Sequence, residues 1–248
     1  MLSFIPFLFN TFFYRPLYNI LIVLSGLVPH GDLGIAIILL TLVVRLIFAP
    51  LSHKALHTQK KLKEIEPEMA ALKEKHKDNA EAQGKAMMEL YKAHGVNPFS
   101  GILLLFIQLP LFIALYWVAK DNLASVPTVM YSFVHAPAVI SRLFLGIIDI
   151  TQPNILLAIL AGASYFFQAQ LAIPPAPKKK KDGKETSFSD EFMQGMNLQM
   201  RYILPLLIMF LGFKLGAAVL LYWITTNGFS ISHELLIRRK AKALVTTE

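Results

Sequence analysis

The feature that most restricts the fold of this chain is a series of long apolar segments separated by polar ones. An α-helix needs about 20 apolar residues to cross a bilayer, and in hydrocarbon only helices and closed barrels satisfy every backbone polar group. Hydrophobic residues make up 55% of the chain, above the roughly 45–50% of ordinary soluble domains. The sequence therefore predicts an all-α, polytopic membrane protein with a five-transmembrane-helix core. The candidate spans are residues 33–51, 99–119, 154–171, 198–213 and 216–237.

The N-terminal segment, residues 1–32, is apolar but interrupted by prolines and by polar residues that include Arg15. We interpret it as an amphipathic segment at the outer face of the membrane, and residues 131–150 in the same way. A sixth span and an uncleaved signal sequence are the alternatives for the first segment, although it lacks a basic start and a clear cleavage site. Residues 33–248 are expected to form the core domain.

Lysine and arginine are distributed unevenly between the two predicted sides. Nineteen of the 24 lie in residues 53–98, in residues 172–201 and after Ile237, and four lie on the opposite side. The positive-inside rule places the basic side in the cytoplasm. Five spans then give an N-terminus outside and a C-terminus in the cytoplasm.

Two predicted cytoplasmic regions differ in character. Residues 53–98 repeat apolar side chains at helical spacing and pass through a turn at Asp78–Asn79, which predicts a helical hairpin bent near Pro67. This hairpin is either a solvated pair of helices or a docking arm for a partner or an incoming chain. Residues 172–197, with four consecutive lysines at Lys178–Lys181, predict a flexible basic loop. Its lysines could contact anionic lipid or ribosomal RNA, although a role in setting topology accounts for most of the signal.

Arg45 is the one charged residue in the first candidate span. A buried arginine costs about 2.5–3.5 kcal/mol on insertion scales and tends to mark a functional position. Gly34, Thr41, Arg45 and Ser52 fall within about 40° of one another on a continuous helix, which makes one polar stripe. The guanidinium could simply extend to the inner headgroups, but the stripe favours a wet, inward-facing site.

Other candidate spans carry polar groups that could line a groove with Arg45. They are Gln108 on the second, Ser164 and Gln168 on the third, and Tyr222, Trp223 and Thr226 on the fifth. Each alone is more often a helix–helix hydrogen bond. No acidic residue lies deep within any candidate span. The charge of Arg45 is therefore predicted to attract acidic groups from outside the protein.

Enzyme signatures are missing from the sequence. It has no metalloprotease, nucleophile-elbow or phosphate-loop motif, so we expect no catalytic residues, no metal and no cofactor. The absence of cysteine excludes disulfides, thiolate catalysis and cysteine-ligated zinc. An intramembrane serine protease built on Ser164 and His233 would lack the nucleophile's usual turn. A small anion channel or transporter that uses Arg45 as its binding site is the alternative function.

Three stretches resemble the YidC/Oxa/Alb group of membrane protein insertases, in its short bacterial form. They are TLVVRLIFAPLSHKA at 41–55, YKAHGVNPFSGILLLFIQLPLFIALYW at 91–117 and AAVLLYWITTNGFSI at 217–231. The resemblance extends from about Tyr14 to Arg239. It implies a five-helix core with a hydrophilic groove, open to cytoplasm and lipid and closed to the outside, that inserts nascent membrane proteins.

The resemblance also implies roles and partners. Arg45 would line the groove, together with the polar positions Thr41, Gln108, Gln168, Tyr222 and Trp223. The implied partners are nascent membrane proteins, the ribosome, membrane lipids and, for some substrates, the Sec translocon. No nucleotide site is visible in the sequence, so the expected driving force is the partition of apolar segments into lipid. A structural assembly factor that only chaperones helices is a further alternative.

Overall fold

The computed structural model describes residues 4–77, 79–97, 108–117, 129–173 and 195–245. Within these ranges the chain is mostly helical, and the only paired strands form one short hairpin. It divides into two compact units, one comprising Met1–Arg45 with Ala114–Glu248 and the other comprising Leu46–Ile113. The helical content confirms the predicted all-α class.

The first unit begins with an unbroken helical segment. α1 (Phe4–Phe9) continues through a π-helix (Asn10–Tyr14) into α2 (Arg15–Leu27). A 3-10 turn at Pro29–Gly31 follows, and α3 (Leu33–Ile47) begins after it. The inner faces of α2 and α3 supply much of the core of this unit, including the fully buried side chains Tyr18, Leu21, Ile22, Ile37 and Leu40.

The second unit contains α4 (Ala49–Glu64), α5 (Glu66–Lys75) and α6 (Ala80–Ala93). Asn79 caps α6, because its side chain accepts a hydrogen bond from the Ala82 amide at 3.0 Å. α5 and α6 lie side by side. His94 directly follows α6, and its Nε2 atom is 3.2 Å from Glu68 Oε2 of α5. The next described helix, α7 (Gln108–Trp117), starts in this unit and ends in the first.

Residues 129–153, here called the connecting segment, lead into α8 and are largely irregular. They include the antiparallel strands β1 (Leu143–Phe144) and β2 (Ile148–Asp149). The turn between the strands holds Leu145 at φ 53° and Gly146 at φ 74°. A leucine in the left-handed region is uncommon because its Cβ crowds the backbone.

The rest of the first unit is a group of three packed helices. α8 (Ile155–Ala172) contacts both α9 (Leu204–Gly212), which follows a π-helix at Gln199–Ile203, and α10 (Ala217–Val245). At Gly162 of α8 the helices approach so closely that an added Cβ would lie 2.9 Å from Met209 Cβ. Small residues allow such close approach between helices in membranes.

Several predicted boundaries differ from the helices observed. The first candidate span, 33–51, is divided, because α3 ends at Ile47 and α4 begins at Ala49. Pro50, at the second position of α4, cannot donate the hydrogen bond that would continue α3. The bend that we predicted near Pro67 lies at Ile65, between α4 and α5. Of the predicted basic loop, residues 174–194, with Lys178–Lys181, lie outside the described residues, as do parts of the second candidate span.

Two helices among the described residues are long and apolar enough to cross a membrane. They are Pro6–Leu27, which runs through α1 and α2, and Ile155–Ala172, which is α8. α8 matches the third candidate span to within one residue. α3 and α7 are shorter apolar helices, so a core of five spans stays a prediction, as does the outer-face interpretation of residues 1–32.

Candidate functional site

Arg45 lies in the last turn of α3 and is half-buried. The continuous span predicted from sequence put it near the middle of an apolar helix, whereas the break after Ile47 puts it near a helix C-terminus. A cation at that position interacts favourably with the helix dipole. The guanidinium is therefore held at one end of α3 while part of it remains accessible.

Tyr222 of α10 is an electrostatic neighbour of Arg45. The two side chains interact electrostatically, and the Tyr222 side chain also lies against Thr226, one turn further along α10. Tyr222 and Thr226 are both buried. Three of the residues predicted to line one groove, from two different helices, therefore meet in one polar cluster, which we call the Arg45 cluster.

Thr41 lies one turn before Arg45 and is buried, and its hydroxyl donates to the Ile37 carbonyl at 2.7 Å. Gly34, at the other end of α3, packs against Phe144 of β1, where an added Cβ would lie 2.4 Å from the ring. Ser52 belongs to α4, so the stripe does not run along one helix. The predicted stripe is thus polar only at the Arg45 end and is tightly packed at the Gly34 end.

The start of α3 is tied to the connecting segment by a buried carboxylate that sequence reasoning missed. Asp32 Oδ1 accepts from the amides of Gly34, at 2.8 Å, and Ile35, at 3.1 Å. Its Oδ2 accepts from the Leu145 amide at 2.7 Å. Asp32 is only 5% exposed. The acid therefore caps α3 and also fixes the turn that follows β1.

Backbone hydrogen bonds extend this connection to α10. The Leu33 amide donates to the Ser141 carbonyl at 3.0 Å, and the Ala218 amide, near the start of α10, donates to the Ile150 carbonyl at 2.9 Å. The same segment therefore covers the first turns of both helices that supply the Arg45 cluster. We call this arrangement the terminal seal, formed by Asp32, residues 141–152 and the first residues of α3 and α10.

The remaining candidates lie on α8, α10 and α7. Ser164 accepts from the buried Asn227 amide group at 3.0 Å, which joins α8 to α10. Gln168 is half-buried one turn further along α8, and Trp223 is half-buried beside Tyr222 on α10. Gln108 is half-buried at the start of α7, in the second unit. Of these residues, Ser164 makes the helix–helix hydrogen bond that polar groups in spans most often make.

Glu234 is a second buried carboxylate that the sequence did not single out. It is 8% exposed, and its Oε1 accepts from Arg238 Nε at 2.9 Å one turn later on α10. Its Oε2 is buried without a hydrogen-bond partner among the described residues. The spacing of Glu and Arg four residues apart predicts a surface ion pair on a helix, and nothing in the spacing shows that one member is buried.

Comparison with known proteins gives a family. Residues 23–244 match the family described as 60Kd inner membrane protein. A Wolinella succinogenes protein named Membrane protein insertase YidC is 34% identical over 235 residues, which cover 95% of this chain and 38% of that protein. A protein of the same name from Francisella tularensis subsp. novicida is 34% identical over 213 residues, or 86% of this chain and 34% of its own. The chain thus spans somewhat over a third of the length of these relatives.

Proposed function

The chain belongs to the 60Kd inner membrane protein family, and from this premise we propose that it is a membrane protein insertase. In this proposal it lies in the bacterial inner membrane and moves nascent membrane proteins from the cytoplasm into lipid. A hydrophilic groove around the Arg45 cluster, open to the cytoplasm and to lipid, receives the substrate. The name shared by the two relatives, Membrane protein insertase YidC, supports this activity.

The difference between the two ends of α3 carries the proposal. At the beginning of the helix, Asp32 and the backbone bonds to residues 141–152 form the terminal seal. At the other end, Arg45 is partly accessible beside Tyr222 and Thr226. A conducting channel is open to both sides at once, whereas an insertase of this kind needs access from one side. The closed end therefore favours an insertase over an anion channel.

The predicted orientation places the seal outside and the Arg45 cluster toward the cytoplasm. A short polar segment of a substrate then enters only part of the membrane thickness before it crosses. This shortens the distance over which unpaired backbone groups lack water, and each such group costs several kcal/mol in hydrocarbon. The apolar segment that follows leaves sideways into lipid, driven by the hydrophobic effect.

Arg45 acts in this mechanism as an electrostatic attractor. Two opposite charges 4 Å apart interact by about 1 kcal/mol in bulk water and by about 4 kcal/mol where the effective dielectric constant is 20. An acidic residue in the substrate's leading segment gains this difference when it reaches the half-buried guanidinium. We therefore propose that acidic segments depend on Arg45 more than neutral ones do.

The second unit supplies the proposed cytoplasmic docking region. Its helices α5 and α6 carry alternating acidic and basic side chains, among them the Lys85–Glu81 pair at 2.8 Å. Such a surface suits transient contact with a charged partner, because exposed pairs of this kind contribute little to stability. We propose that this unit contacts the ribosome or the arriving chain and that some substrates also require the Sec translocon.

Replacement of Arg45 tests the proposal. In liposomes that contain the purified full chain and no Sec translocon, Arg45→Ala should slow insertion of a single-span substrate with an acidic outer tail about tenfold or more. Insertion of the same substrate with a neutral tail should change little, and Arg45→Lys should keep much of the wild-type rate. Equal, unimpaired insertion of both substrates by Arg45→Ala contradicts the electrostatic role.

A pair of neighbouring threonines gives a matched control. Thr226 lies against Tyr222 in the Arg45 cluster, whereas the Thr225 hydroxyl donates only to the Leu221 carbonyl of its own helix. Thr226→Ala should reduce insertion of the acidic substrate more than Thr225→Ala does. Equal effects of the two substitutions would mean that the rate reports α10 stability and not the cluster.

A further inference from the structure

A separate cavity of about 460 Å³ lies at the N-terminal helix. It is lined by Pro6, Phe7, Asn10, Thr11, Arg15 and Val129. The cavity is polar on one side, where Asn10, Thr11 and Arg15 lie, and apolar on the other. Nothing in the proposed insertion mechanism uses these residues.

The π-helix at Asn10–Tyr14 brings the polar side together. The Arg15 amide donates to the Asn10 carbonyl, five residues earlier, which closes a turn one residue wider than an α-helical turn. In an α-helix five residues rotate the chain by about 140° past a full turn, so Asn10 and Arg15 would face different ways. The wider turn places both on the lining of one cavity. π-Bulges of this kind are frequent at functional sites.

Arg15 is held in a fixed position. Its Nε donates to the Val129 carbonyl at 3.1 Å and one terminal nitrogen donates to the Met130 carbonyl at 3.4 Å. The guanidinium also lies 4.8 Å from the centre of the Tyr131 ring. A guanidinium has five N–H donors, so three donors of Arg15 are not used by the residues that the structure describes. No carboxylate among the described residues forms an ion pair with Arg15.

The depth of this cavity follows from its neighbours. The Asn19 side chain donates to the Val129 carbonyl at 3.0 Å and accepts from the Tyr131 amide at 2.8 Å. The irregular connecting segment therefore runs beside α2. Irregular backbone exposed to lipid is not tolerated within the hydrocarbon, so this segment and the part of α2 beside it belong at headgroup level. The cavity then faces the phosphate layer.

We propose that this cavity binds the phosphate of a phospholipid in the outer leaflet, an inference that rests on the outer-face placement in the proposed function. Arg15 supplies the charge and charge-assisted hydrogen bonds, and Asn10 and Thr11 supply further polar contacts. Phe7, which is 62% exposed, and Pro6 contact the glycerol and the first part of the acyl chains. The site anchors the N-terminal helix at the membrane surface.

Binding to the purified full chain tests this site without measuring insertion. A short-chain phosphatidylglycerol is titrated into protein in uncharged detergent, and binding is followed by native mass spectrometry and by the shift in thermal unfolding. Arg15→Gln keeps most of the length and two N–H donors but removes the charge. It should weaken binding about tenfold, the usual effect of one lost charge-assisted hydrogen bond. Lys214→Gln removes an exposed cation outside the cavity and should leave binding unchanged.

Two further binding measurements distinguish a lipid site from a simple anion site. Inorganic phosphate should bind far more weakly than the lipid, because it makes no use of the apolar side of the cavity. Thr11→Val, at an exposed position, removes a polar group without removing the contacts that hold Arg15, and it should also weaken lipid binding. Equal binding of phosphate and lipid would show a simple anion site and overturn the lipid proposal. Unchanged lipid binding in both Arg15→Gln and Thr11→Val, or an equal loss in Lys214→Gln, would also overturn it.

Discussion

The terminal seal can be tested by a substitution that changes one atom of Asp32. Asp32→Asn keeps an oxygen at Oδ1, which continues to accept from the Gly34 and Ile35 amides, and places an NH2 group where Oδ2 accepts from Leu145. That NH2 group and the Leu145 amide are both donors and cannot bond to each other. Asp32→Ala removes all three bonds. The two variants therefore separate the seal from the helix cap.

The magnitudes follow from the bonds that are lost. A hydrogen bond to a charged group contributes roughly 1.5–3 kcal/mol, and an N-cap side chain contributes about 1 kcal/mol. Asp32→Asn should therefore cost about 2 kcal/mol, confined to the turn at Leu145. Asp32→Ala should cost about 3 kcal/mol and also affect the start of α3. At 1.4 kcal/mol per factor of ten, a 2 kcal/mol loss increases local opening about 30-fold.

Amide hydrogen exchange measures this opening at single residues. In Asp32→Asn the Leu145 amide should exchange about 30-fold faster, while the Gly34 and Ile35 amides keep their protection. Asp149→Asn is a matched control, since Asp149 is an acid of the same hairpin whose side-chain bonds go only to Thr151. If Leu145 exchanges at the wild-type rate in Asp32→Asn, the carboxylate does not hold the turn and the reasoning is wrong.

Two other predictions concern single bonds. Asn227→Ala removes the bond to Ser164, and an interhelical bond in a membrane contributes about 0.6 kcal/mol; unfolding in a denaturant series should show a loss of that size, and a loss above about 2 kcal/mol would show that Asn227 does more than join the helices. At Asp149, the hydrogen bond from the Thr151 hydroxyl, then that from the Thr151 amide and the charge of Arg142, lower the pKa. This carboxylate therefore stabilises the turn at Thr151 above about pH 4, and the contribution is lost as the pH falls through the lowered pKa. The pH titration of the residue 151 amide chemical shift should have its midpoint below about pH 3.9, and this midpoint should rise in Thr151→Val. A wild-type midpoint at or above that pH contradicts the assignment.

Local patterns in the sequence predicted a substantial part of this fold. Apolar length predicted α8 to within one residue, and the turn predicted at Asp78–Asn79 comes directly before α6. Proline chemistry alone could have placed the break after Ile47, but the apolar run through Phe48 and Leu51 outweighed it in the interpretation. These features depend on neighbours along the chain, and so they can be recognised in one sequence.

Contacts between distant segments could not be derived in this way. Arg45 and Tyr222 belong to two helices far apart in the chain and interact electrostatically, and periodicity indicated only that each lies on a polar face. From the sequence alone Asp32 would be interpreted as an ordinary helix cap, because its bond to Leu145 joins residues 113 positions apart. From the sequence alone Glu234 would be interpreted as one member of a surface ion pair, because burial of its carboxylate depends on packing around α10. The grouping of the predicted polar residues into one groove therefore stays a prediction.

The two ends of α8 have a mechanical consequence. At its start the Asn154 side chain accepts from the Leu157 amide at 3.0 Å. At its end the Leu171 carbonyl accepts from Arg238 at 2.5 Å, and the Ile173 carbonyl accepts from Arg201. A slide of α8 by one turn, about 5.4 Å, would break both arginine contacts at once. We therefore expect the groove of the proposed insertase to widen by sideways displacement of the helices around α8 and not by movement of α8 along its own axis.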